Sequence, residues 1–164
     1  MADHMWAKVV QRGILVRERE GTPEALLLRN PNGTWELPGG KLEHGATARG
    51  SLEREIAEET GLAVTDADPV ETSVRKHKRK KNRGKFAVVY RCAFEGDGVE
   101  LSDEHVDFAW FDREGIDATN VKQVDEYRSL RRVLAERETA RRQTATEHGD
   151  EGREPAANGD GAGP

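Results

Sequence analysis

Cysteine is nearly absent from this chain: Cys92 is the one thiol in 164 residues. An intramolecular disulfide is excluded, and no cysteine pair is available for a thiolate metal site. Cys92 reads instead as a small apolar residue in a strand. Long apolar runs are also missing, and none approaches the ~20 residues needed to span a bilayer. The opening "MADHMWAKVV" lacks the basic-then-apolar order of a secretory signal, so the expected location is the cytoplasm, with no membrane partner. No internal repeat is visible.

Charge, by contrast, is abundant. The net charge is −5, but the segment "RKHKRKKNRGK", residues 75–85, holds eight of the 26 Lys and Arg. The rest of the chain then carries 18 basic against 31 acidic residues, a balance of −13. This is an acidic body with one basic stripe, suited either to line a polyphosphate or nucleic-acid path or to form a solvated hairpin tip. No aromatic residue interrupts the stripe, which argues against base stacking within it.

Hydrophobic patterning places strands over 6–16 and 25–28, joined as a hairpin across the breaker cluster "EGTP". "RNPNGTWELPGG" is loop, with one extended turn around Trp35 to Leu37. A helix of about four turns is expected from Thr47, a possible N-cap, to Thr60, with Gly61 as the residue that ends it. Strands over 63–74 and 86–94 flank the basic stripe, and a further short strand ends near Trp110 and Phe111. Val124, Tyr127, Leu130, Val133 and Leu134 set the apolar face of a second helix, expected over 121–141. The Gly-, Pro- and acid-rich residues 142–164 are expected to be disordered. Residues 1–141 form one domain, whose element order predicts an α/β fold with a mixed sheet flanked by helices.

The first helix poses a question. Glu55, Glu58 and Glu59 fall within roughly a 100° arc, beside the core-facing Leu52 and Ile56. Like charges so placed repel by a few tenths of a kcal/mol per pair, about 0.2 to 0.5. Arg49 and Glu53, and Arg54 and Glu58, are i,i+4 pairs that would make a salt-bridged solvated face. Clustered carboxylates are equally the hard ligands that Mg²⁺ or Mn²⁺ prefers, and such ions commonly bridge to a substrate phosphate.

Gly40, Arg54, Glu55, Ile56, Glu58, Glu59, Gly61 and Leu62 stand at the spacing of the Nudix box, and the region 6–134 resembles the Nudix hydrolase family. Chance agreement at the six fixed residues has odds on the order of 10⁻⁷ to 10⁻⁸ per window. "WELPGGK" is similar to the family's approach loop, and the strand order is similar to its α/β/α sandwich. The chain departs from the pattern at Ala46, where the family has its first box Glu, a residue that supports the Arg. Glu43, three residues earlier, is the available substitute.

The resemblance implies that Glu55, Glu58 and Glu59, with the Gly40 carbonyl, hold Mg²⁺ or Mn²⁺, and that Arg54 orients Glu55. It implies water attack on phosphorus in a phosphoanhydride, with Gly39, Gly40 and Lys41 against the substrate. The expected loop base is Glu104, with Asp103 as the other candidate. His105 and His44 read as surface residues, and Trp35 and Trp110 as core.

The substrate class implied is a nucleoside diphosphate linked to another group. Gly39 differs from the Pro-Lys-Gly of members acting on diadenosine polyphosphates or RNA ends. No Pro stands near residues 76–78, where ADP-ribose-type members have one, and the extended motifs of the coenzyme A and NADH subgroups are missing. Nucleoside triphosphates and nucleotide sugars remain. The alternative reading is a catalytically impaired module that binds nucleic acid or nucleotide through residues 75–85. A homodimer is a further expectation of the resemblance, with the helix from Val121 as either a contact or a core face.

Overall fold

The computed structural model describes residues 4–149. Its elements run β1 (Trp6–Arg19), β2 (Thr22–Arg29), β3 (Trp35–Glu36), α1 (Ala48–Thr60), β4 (Ala63–Lys76), β5 (Arg83–Glu95), β6 (Asp107–Phe111), α2 (Arg113–Asp117) and α3 (Val124–Gly149). The strands make one mixed sheet in the order β3-β2-β1-β5-β4, with β6 on the other edge of β2. This is the expected α/β arrangement, and both faces of the sheet are covered by helices.

Adjacent apolar residues in the strands serve opposite layers. Leu15, Leu26 and Leu28 pack with Leu52 and Ile56 of α1, while Ile14, Ala25 and Leu27 pack with Leu130, Val133 and Leu134 of α3. The two-residue period of a strand thus turns the runs "GILV" and "ALLL" into two cores. Each fully buried aliphatic side chain contributes about 1.5 to 3 kcal/mol relative to exposure. Cys92 is buried in the α1 layer, as its sequence context indicated.

β1 positions the rest. Its first part pairs in parallel with β5, and its last residues pair antiparallel with β2. Where β2 has not yet joined, the Pro38–Leu42 segment takes the vacant edge of β1. Gln11 N–H donates to Gly40 O at 2.8 Å, Gly13 N–H to Pro38 O at 2.9 Å, and Leu42 N–H to Val9 O at 3.0 Å. An irregular loop is thereby held as firmly as a strand.

α1 begins and ends as predicted. The Thr47 side chain accepts from Gly50 N–H, and Gly61, at φ 71°, closes the last turn on Ala57 O. Two expectations need correction, and one helix was not foreseen. The second helix is α3, starting at Val124 rather than Val121, because Val121 forms a bridge with Trp35 instead. It also continues to Gly149, so the boundary expected at 141 falls inside a helix: Thr144, Ala145 and Thr146 propagate it despite the polar composition. The rest of the expected tail, 150–164, lies outside the described residues. α2, capped by the Asp112 side chain, is too short for periodicity to reveal.

Candidate active site

A cleft of about 1110 Å³ opens at the edge of β1, between the Gly39–Gly40 loop, α1, the loop before β6 and the β4–β5 hairpin. Glu43, Glu55, Glu59, Glu104, Gly39, Gly40 and Lys41 all line it. Sequence reasoning therefore brought most of its candidates to one place.

The glycines are dictated by contact. Gly39 has φ +134°, and a Cβ there would stand 2.3 Å from Gln11 O. A Cβ on Gly40 would stand 2.3 Å from Glu55 Oε2. The Glu55 carboxylate lies directly on the Gly40 backbone, so any side chain there would displace it.

Glu59, one turn on, is buried and accepts a hydrogen bond from Gly39 N–H at 2.8 Å. Burial pushes its carboxyl up to about 7, against the pull of that bond and of the His105 and Arg12 charges. Glu55 and Glu59 are i,i+4 neighbours and converge on one dipeptide. Glu58 does not join them: its side chain is 62% exposed, with Oε1 3.7 Å from Arg54 Nε. At i+3 from Glu55 it turns toward solvent, on the side where Arg54 stands.

Arg54 answers part of the charge question. Its Nη2 lies 3.2 Å from Glu43 Oε2 and 3.5 Å from Glu55 Oε1. The guanidinium bridges the loop acid to the cleft acid.

Among the described residues, no group of three or more acidic, His or Cys side chains forms a closed metal cage. The donors nevertheless fit Mg²⁺ or Mn²⁺, which are bound through one or two carboxylates together with water and phosphate oxygens. Glu55 and Glu59 supply two carboxylates. The Gly40 carbonyl, with one lone pair on Gln11 N–H, keeps a second. A cation there would also offset the burial that disfavours ionised Glu59.

Beneath the loop lies a buried ionic network that the sequence reading missed. Arg12 Nη1 donates to Gly39 O at 2.6 Å, and its other nitrogens lie 3.3 Å from Glu36 Oε2 and 3.5 Å from Glu126 Oε1. Lys122 Nζ donates to Glu36 at 2.8 Å, and Glu126 accepts from Leu37 N–H at 3.3 Å. Burial raises the Glu36 carboxyl, but the His105 hydrogen bond and the Arg12 and Lys122 charges outweigh it and hold it at about 2. Glu126, more deeply buried, is pushed up. The available sequence signal was Gln11-Arg12 inside an otherwise apolar strand.

His105 corrects an expectation. It is 7% exposed, not a surface residue, and its Nε2 lies 3.4 Å from Glu36 Oε1. The Asp107–Phe111 strand draws the preceding loop over the network. His44 is exposed as expected. Trp35 packs edge-on to Phe111, and Trp110 lies between Phe94 and Arg17, so both are packing residues.

A family model described as the NUDIX domain matches residues 7–133, and the chain belongs to that family. A MutT-like protein of Streptomyces ambofaciens is 41% identical over 98 residues, 60% of this chain and 59% of its own length. A Mycobacterium tuberculosis protein, provisionally named 8-oxo-dGTP diphosphatase 2, is 47% identical over 62 residues, 37% of this chain and 40% of its own. The chain thus spans 59% and 40% of the lengths of these relatives. The solution structure of the E. coli ORF135 protein superposes with a TM-score of 0.64 at 26% identity, covering 80% of this chain and 91% of that one. Among the described residues, no helix is long and apolar enough to cross a membrane.

Proposed function

We propose that the protein is a divalent-metal-dependent pyrophosphohydrolase of nucleoside triphosphates or nucleotide sugars, with water attacking phosphorus in a phosphoanhydride. The observation that carries this reading is the convergence of Glu55 and Glu59 on the Gly39–Gly40 backbone, in a cleft whose facing wall is cationic. The provisional name of the M. tuberculosis relative supports the triphosphate option.

Glu55, Glu59 and the Gly40 carbonyl would hold Mg²⁺ or Mn²⁺, and Glu58, outside the cleft beside Arg54, would have to turn inward to add a third carboxylate. When bound, the metal supplies charge neutralisation of the diphosphate and acidifies a water. The residues of the chain do the rest. Lys41 and the cationic wall bind phosphate oxygens, and Arg54 holds Glu55 in place through a charge-assisted contact. Glu104, which also lines the cleft, accepts the proton of the attacking water. The fixed Gly39–Gly40 loop holds these groups in register with the phosphorus.

The test is a product-resolved hydrolysis screen of nucleoside triphosphates, nucleotide sugars and dinucleotides, with and without Mg²⁺ or Mn²⁺. Metal-dependent release of a nucleoside monophosphate, reduced at least 100-fold in Glu55→Gln, is expected. Turnover that is insensitive to both metal and Glu55→Gln overturns the reading.

A further inference from the structure

The strand ends that form the far wall of the cleft carry a pattern visible only once the sheet is assembled. In the parallel β1–β5 ladder Trp6 is opposite Arg83 and Lys8 opposite Lys85, and in the β4–β5 ladder Lys85 is opposite Arg75. Residues two apart on a strand share a face. Trp6, Lys8, Arg83, Lys85 and Arg75 therefore form one patch, and all five line the cleft.

Like charges directly opposite one another across strands are destabilising, and here three stand in a row. Asp125 relieves only Arg75, at 2.9 Å. No ion pair joins Lys8, Lys85 or Arg83 to a carboxylate among the described residues. Burial lowers the Lys85 pKa, and the nearby Arg12, Arg75 and Lys122 charges lower it further against the partial pull of Glu126. The patch calls for an anion. Trp6, 70% exposed, is the most exposed large apolar side chain described, so an open indole face stands beside these cations. The basic stripe has no aromatic of its own in sequence, but pairing with β1 supplies one.

We propose that this wall binds a single-stranded nucleic acid, with its phosphates on Lys8, Lys85 and Arg83 and a base stacked on Trp6. Length favours a strand over a mononucleotide. Val10 and Arg12, farther along the same face of β1, are buried, so the open cations and Trp6 stand up to ~20 Å from the Arg12–Gly39 end of the cleft, at a rise of ~3.3 Å per residue. A strand of about six nucleotides covers that distance, at ~3.4 Å per phosphate. The cleft volume is likewise at the upper end of small-ligand pockets, which run to about 1,000 Å³. Aromatic stacking beside a cationic track is how unpaired strands are held, whereas the base faces of a duplex are already occupied.

The test is fluorescence anisotropy of a labelled 12-nucleotide single strand on the full chain. EDTA is included so that any metal-dependent turnover is silent and the outcome is independent of the hydrolysis reading. Saturable binding is expected, tighter for the single strand than for the same sequence as a duplex. Three neutralised phosphates give a slope of about −2 in log K against log salt, or roughly a 20-fold loss from 50 to 200 mM. Trp6→Ala should weaken binding at least fivefold. Lys8→Glu with Arg83→Glu should abolish it while circular dichroism stays native. Absence of binding at 50 mM salt, equal affinity for the duplex, or an unchanged affinity in Trp6→Ala overturns the proposal.

Discussion

Arg12 donates a 2.6 Å hydrogen bond to the carbonyl of Gly39 from a side chain that is itself 10% exposed. The loop that carries Gly40 and meets Glu55 and Glu59 is thus fastened from below by a buried cation. That cation is in turn balanced by Glu36 and Glu126. Arg12→Met would leave buried Glu126 without its cation and Glu36 with only His105 and Lys122, and breaking a buried ionic network in this way typically costs about 3 to 5 kcal/mol. The expected result is a correspondingly lower unfolding free energy in urea, and a kcat/KM reduced at least tenfold as the loop loosens. Arg12→Lys should recover little of either, because one ammonium cannot reproduce the fork that reaches three oxygens.

The Glu36 carboxyl makes stability depend on acid in a defined window. Its ordinary value is 4.5, and in the folded protein it is held at about 2 by His105, Arg12 and Lys122 against the cost of burial. A depressed folded value means that the contribution is complete above about 4.5 and is lost as pH falls toward 2. The shift corresponds to about 3 kcal/mol. Urea unfolding at a series of pH values should show wild type losing about that much more than Glu36→Gln between pH 5 and pH 2. Parallel curves for the two proteins would remove Glu36 as the source.

What the sequence made legible was local. The β1–β2 hairpin, the caps of α1 at Thr47 and Gly61, and the box carboxylates each follow from residues within a few positions of one another. The network under the loop does not: Arg12, Glu36, His105, Lys122 and Glu126 are gathered from four separated segments. Individually they resemble ordinary surface charges. Trp6 stayed silent for the same reason, since its neighbour Arg83 is supplied by a parallel pairing that no short-range pattern specifies. Glu58 shows the converse, because a helical arc told which way it leans but not that the cleft ends before reaching it.

Glu59 should trade stability for function. Its buried carboxyl is raised to about 7 from an ordinary 4.5, so the ionised form weakens the metal-free protein above pH 7, and this penalty fades as pH falls toward 4.5. Glu59→Gln keeps an oxygen to accept from Gly39 N–H while removing the charge. In EDTA at pH 8 the variant should therefore be more stable than wild type, by about 3 kcal/mol at most, with the advantage gone at pH 4.5. Its hydrolytic activity should be lost, and Mg²⁺ should raise the melting temperature of wild type but not of the variant. A variant less stable than wild type at pH 8 would show that the hydrogen bond to Gly39 outweighs the burial of charge.

Glu43 is placed to stand in for the acid missing at Ala46, because its Oε2 stands 3.2 Å from Arg54 Nη2 while Arg54 also faces Glu55 and Glu58. Glu43 is mostly exposed, so its removal should leave stability within about 0.5 kcal/mol of wild type. The effect belongs instead to chemistry: Glu43→Ala frees Arg54 to swing away from Glu55, and kcat should fall about tenfold with little change in KM. Ala46→Glu in that background restores an acid to the loop and should return much of the lost rate. Steady-state kinetics on the two single variants and the double variant separate the possibilities. If Ala46→Glu rescues nothing, Glu43 acts on the substrate directly rather than through Arg54, and its loss should then appear in KM.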